Sequence, residues 1–142
     1  MSPIFRLALM LLGSYAASLD AQMITVKDYR ETKDMLDKGK NDPTHPQAVA
    51  LFDTYIKGIG DGFVWANIQL QTTGRERIYC TPQKLGMNSQ NYQQILESYL
   101  PTLARTVHWP SGNWKSADDV PVSFVLLEAL IDAFPCGARG KQ

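Results

Sequence analysis

The chain has 142 residues, enough for one domain whose core can stand without several disulfides or a metal. With 44% apolar and 20% charged residues it falls among ordinary globular chains, away from disordered or collagen-like ones. Basic and acidic side chains number 14 each, so the formal net charge is zero. The basic excess that steers a protein to nucleic acid or an anionic membrane is lacking, and neither is an expected partner.

The first residues read as a signal peptide, 1–21. Arg6 and the free amine form a basic start, Leu7 to Ala17 an apolar middle, and small residues follow. Two cleavage sites compete, after Ala21 and after Ser18, and Ala21 is preferred. The apolar stretch is shorter than the roughly 20 residues needed to span a bilayer, so no membrane anchor is expected. No cysteine stands where a lipid would be attached. Cleavage removes Arg6 and Asp20, one charge of each sign, and the expected mature domain, 22–142, stays balanced.

Val26, Tyr29, Met35 and Leu36 follow Thr25 at roughly helical intervals, with Asp28 and Glu31 in the first turn, and predict a short exposed helix to about Lys38. Gly39-Lys40-Asn41-Asp42-Pro43 is a loop. From Pro46 to about Thr72, Val49, Phe52, Ile56, Ile59, Phe63, Ala66 and Leu70 recur every three or four residues, one buried face of a central helix. Gly58, Gly60 and Gly62 interrupt that helix at about 1 kcal/mol each relative to alanine. No strand precedes them and their spacing gives neither a Walker lysine nor a dinucleotide fingerprint, so a phosphate loop is excluded. Close approach of another helix, or of a neighbouring subunit, is the expected reason for them.

Thr72 to Arg77 is a polar turn, and 78–80 a short extended piece. Asn88 or Ser89 caps the next helix, whose apolar line runs Tyr92, Ile95, Leu96, Tyr99, Leu100 and Leu103, with Pro101 forcing a kink or break. Residues 108–115, His-Trp-Pro-Ser-Gly-Asn-Trp-Lys, are irregular and carry two of the three tryptophans. Asp118 or Asp119 caps the last helix, with Pro121 in its first turn and Val122, Val125, Leu126, Ala129, Leu130, Ala133 and Phe134 on its buried side. Pro135 ends it. The fold class is all-α, a small domain of four to five helices.

Cys80 and Cys136 are the two cysteines, and in an exported chain an even count argues for one disulfide rather than reactive thiols, which would need a nearby base. The two histidines, His45 and His108, carry no metal-ligand spacing, and no metal or cofactor is expected. No serine elbow or Cys-His pairing assembles a catalytic set. Asp53, Asp61 and Asp132 lie on apolar-rich helices, where the solvated side of an amphipathic helix explains them better than a general base. A small hydrolase using Asp61 or His108 is the lesser reading. Trp109 and Trp114 either cap the core or anchor a partner. Arg75, Arg77, His108 and Asn113 join them as candidate partner-binding residues.

Tyr55-Ile56-Lys57-Gly58-Ile59-Gly60-Asp61-Gly62, then Cys80-Thr81-Pro82, Tyr99-Leu100 and Ala129-Leu130-Ile131-Asp132-Ala133-Phe134-Pro135-Cys136, in this order behind a signal peptide, resemble the Rap/Tai immunity proteins that protect bacteria against type VI secretion amidase toxins. The resemblance implies a periplasmic, helical, often dimeric protein that is no enzyme itself. It would bind a peptidoglycan amidase effector and block its active site with a protruding loop. Many members of that family carry a further cysteine near the start of the glycine segment, where this chain has Asp53 and Thr54 before Tyr55, so a second disulfide is not expected. The alternative is a periplasmic helical binding or chaperone-like module without a toxin.

Overall fold

The computed structural model describes residues 23–82, 85–103 and 114–137. The expected signal peptide and its cleavage site lie outside the described residues, as do His108, Trp109 and Asn113. Among the described residues the chain forms four α-helices: α1 Val26–Lys38, α2 His45–Thr72, α3 Ser89–Tyr99 and α4 Val122–Ala133. A 3₁₀ turn, Ala117–Asp119, precedes α4. This is the small all-α domain with one disulfide, Cys80 to Cys136, that the sequence predicts.

α1 begins where Thr25 closes a capping box with Asp28: the Asp28 amide donates to Thr25 Oγ1 and the Thr25 amide to the Asp28 carboxylate. These bonds hold the Asp28 carboxyl below its ordinary range. Thr25 also bridges to Pro121. The Val26 amide donates to the Val120 carbonyl and the Val122 amide to that of Ile24, each at 2.9 Å. That double tie corrects the expectation of an exposed first helix. It draws the first turn of α1 onto the start of α4, so Val26 is fully buried and Tyr29 nearly so.

The tie also explains why neither Asp118 nor Asp119 caps α4. The residue before Val122 is Pro121, and the Val122 amide already has its partner in Ile24. Asp118 instead receives Arg30, and Asp119 accepts the Ser116 hydroxyl. α3 starts as predicted at Asn88, whose side chain exchanges bonds with Asn91. It stops at Tyr99, because Pro101 has no amide to continue the ladder.

α4 is the centre of the core. Val122, Val125, Leu126, Ala129 and Leu130 are buried along it, facing Tyr92, Leu96 and Tyr99 of α3 and Ile56 of α2. Ala133, placed on the same buried face by the sequence pattern, is exposed, and Phe134 is half-buried against the core. The 28-residue α2 lies across this pair. Of its three interior glycines, Gly60 alone meets a neighbour: a Cβ there would come 2.3 Å from the Tyr92 ring, while Gly58 and Gly62 have nothing within 4 Å.

The hydroxyls of Tyr79 and Tyr92 are buried with no hydrogen-bond partner among the described residues. Burial, with Tyr92 beside it, pushes the Tyr79 hydroxyl from its ordinary value up to about 12. Tyr92 and Tyr55 move the same way, as does Tyr29, whose hydroxyl also donates to Glu97. Unfolding frees these phenols to ionise near their ordinary value of 10. Above it the unfolded chain binds fewer protons than the folded one. For Tyr79 the stabilisation is therefore complete below about pH 10 and is lost as pH rises towards 12, by up to about 1.4 kcal/mol per pH unit, and the other phenols act in the same direction. Urea unfolding near pH 9, 10 and 11 is expected to show this fall. Tyr79→Phe is expected to make it shallower while leaving neutral-pH stability unchanged or higher, since it removes an unsatisfied buried hydroxyl.

Candidate partner-binding surface

After α2, the backbone turns at Gly74, whose φ of 73° suits a residue without a side chain. Residues 75–81 then run back as an irregular strap along the last turns of α2. Four fastenings hold the strap. The Arg75 amide donates to the Leu70 carbonyl at 2.8 Å and the Cys80 amide to that of Phe134 at 2.7 Å. The disulfide brings the Cα atoms of Cys80 and Cys136 to 5.0 Å. Asn67, the one buried polar residue of α2, takes the Ile78 amide on its carbonyl oxygen (2.8 Å) and gives its own amide to the Tyr79 carbonyl (3.0 Å).

Asn67 sits on the helix face of Ile56, Gly60 and Phe63. An amide buried there would cost about 1–3 kcal/mol without partners, and the strap backbone supplies a partner to both its oxygen and its nitrogen. Tyr79 turns inward into the core, leaving Arg75 and Ile78 outward and Arg77 half-buried at the rim. Between strap and helix lies a cleft of about 90 Å³ lined by Val64, Asn67, Ile68, Gln71, Arg77, Tyr79 and Thr81. Ile68 and Ile78 stand exposed beside it. The structure thus brings Arg75 and Arg77 together on one fastened segment with apolar neighbours, a composition of the kind interface hot spots carry.

Trp114 lies in another segment, just before the 3₁₀ turn that precedes α4. It is half-buried, with its ring 5.1 Å from that of Phe124, and packs against the core. Trp65, in contrast, is 69% exposed on α2. The sequence pattern held a signal for it: the apolar line passes through Phe63, Ala66 and Leu70, one step aside from position 65. Asn67 was missed although it falls on the buried face.

The three candidate acids have separate surroundings. Asp53 accepts from the Gln93 amide at 2.7 Å, Asp61 pairs with Lys57 four residues before it, and Asp132 is exposed. His45 contacts the Leu36 carbonyl through Nε2 at 2.9 Å, closing the loop between α1 and α2. Among the described residues no three His, Cys, Asp or Glu side chains gather as a metal site would require. No helix there is long and apolar enough to cross a membrane. In comparisons with known proteins, the chain matches no family model, no curated protein and no solved structure.

Proposed function

We propose that the chain is a periplasmic immunity protein: exported, cleaved after Ala21, and binding a type VI secreted peptidoglycan amidase so as to occlude its active site. The observation that supports this reading is the strap 75–81. Arg75, Arg77 and Ile78 are presented on a segment anchored by a buried asparagine and a disulfide, so little conformational entropy is lost when a partner closes over them. The resemblance to the Rap/Tai proteins supplies the kind of partner. In this reading the protein is an inhibitor and carries out no reaction of its own.

The test is capture on the processed protein, disulfide formed, from periplasmic and secreted extracts, with mass spectrometry of what is retained. One stoichiometric peptidoglycan hydrolase is expected, with its activity abolished in the complex. Arg75→Ala with Arg77→Ala is expected to weaken that complex by about tenfold or more without changing the fold. A broad set of unfolded clients would instead identify a chaperone-like module, and capture of no hydrolase would reject the inhibitor reading.

A further inference from the structure

From Lys27 to Lys57 every lysine and arginine holds an acidic partner. Lys27 pairs with Glu31, Arg30 with Asp118 and Lys33 with Glu97, and Lys38, Lys40 and Lys57 pair with aspartates three or four residues away. Arg75 and Arg77 hold no acid among the described residues. The cause is local: from Gly62 to Gly74 the chain carries no charge, so the last turns of α2 offer the strap nothing to pair with. Glu76, between the two arginines, is exposed and pairs with neither.

Arg75 is exposed, but Arg77 is half-buried over the cleft of about 90 Å³. Gln71 and Thr81, which can donate hydrogen bonds, line that cleft with it, and so do the apolar Val64 and Ile68. Water screens a guanidinium poorly on the side it turns to such a wall. A carboxylate brought there would form charge-assisted bonds stronger than in open solvent. Trp65 and Ile68, three residues apart, are neighbours on the surface of α2, and both are exposed, as is Ile78 of the strap.

From this arrangement we infer that the cleft is a carboxylate site, taking one glutamate or aspartate side chain from an apolar stretch of the partner protein. Arg77 supplies the counter-charge, Gln71 and Thr81 supply further donors, and the residues flanking the acid rest on Trp65, Ile68 and Ile78. The cleft is well under the roughly 300 Å³ at which pockets for small organic ligands begin, and it suits a single side chain. One guanidinium matches the single charge of a carboxylate, whereas a phosphate group, with a charge of about −1.5 to −2, would be left partly uncompensated. The assignment rests on the strap being the contact segment and is independent of the partner's being an amidase.

Heteronuclear NMR titration of the processed protein with the capped peptide Leu-Glu-Leu, its isostere Leu-Gln-Leu and acetate tests the proposal. The glutamate peptide is expected to bind at least about tenfold more tightly than the glutamine peptide, moving the Gln71 side-chain amide and the Trp65 indole resonances together. Arg77→Gln is expected to bring the two peptides to equal affinity with an unchanged helical spectrum. Arg77→Lys should keep only part of the preference, since an ammonium lacks the planar fork. Trp65→Ala is expected to weaken both peptides alike. Equal binding of the two peptides overturns the proposal, as does a preference that survives Arg77→Gln or a titration that moves neither resonance. Acetate bound as tightly as the glutamate peptide would make the cleft a site for free carboxylates and overturn its assignment to a partner protein. The two readings fail separately. A hydrolase captured by a protein that lacks the glutamate preference keeps the inhibitor and removes the carboxylate site, and the preference without a captured hydrolase does the reverse.

Discussion

Replacing Cys80 and Cys136 together by serine is expected to lower the unfolding free energy by about 3–4 kcal/mol. The bond joins positions 56 apart in sequence. Closing a loop of that length removes about 4 kcal/mol of chain entropy from the unfolded state, and natural disulfides of small exported domains are worth roughly 2–5 kcal/mol. The native side supports the upper part of that range, because the bond ties two segments already in register. The Cys80 amide donates to the Phe134 carbonyl at 2.7 Å, and Tyr79 next to it is buried. The serine variant should keep a helical spectrum and melt about 10–20 °C lower, and reduction of the wild-type protein should reproduce the shift. A loss below about 1 kcal/mol would mean that the strap is held by Asn67 and Tyr79 alone. Cys136 is an exposed residue, so the comparison by reduction is practical in the native state.

The second large effect concerns the glycines of α2. Gly60→Ala is expected to cost about 2–3 kcal/mol, although alanine is the better helix former. Its methyl would lie 2.3–2.5 Å from three carbons of the Tyr92 ring, which is itself buried and cannot swing into solvent. Either α3 moves away from α2 or the ring leaves its place, and both disturb the face that α3 shares with α4. Gly58→Ala and Gly62→Ala, two residues away on either side, meet nothing within 4 Å. In dilute protein they should gain up to about 1 kcal/mol each from the reduced backbone entropy of the unfolded chain. Chemical denaturation of the three variants reads opposite signs from one substitution. Equal stabilisation at all three positions would remove the close contact between Gly60 and Tyr92 from the account. A companion Tyr92→Leu change, which withdraws the ring edge, should relieve much of the Gly60→Ala loss, since the two sites share that contact.

These predictions separate two kinds of glycine that are indistinguishable in the sequence. Periodicity identified α2 and its buried line, and three interior glycines pointed to a close approach. Which of them is approached depends on where Tyr92 of α3 lands, and that is fixed by the packing of α3 on α4 and α2. The same division runs through the candidate site. Arg75 and Arg77 could be picked out as a polar turn after a helix, yet nothing local revealed that Asn67 would clasp the next two residues. Trp114 was open to two readings in the sequence, and its tilted contact with Phe124 places its ring against the core.

The sequence by itself determined an all-α fold of four to five helices, a cap at Asn88 or Ser89, the break at Pro101 and the pairing of the two cysteines. Each follows from short-range rules: apolar spacing, a side chain that can reach its own backbone, an amide that proline lacks, and a count of two. The tertiary structure decided what depends on contacts between distant segments. The bridge of Thr25 to Pro121 buries the first turn of α1 and takes over the capping of α4. The Tyr92 ring selects Gly60 from among its neighbours, and the satisfied amide of Asn67 turns a polar turn into a fixed strap. In each case the deciding partner is 11 or more residues away, where a local pattern carries no information about which group will arrive.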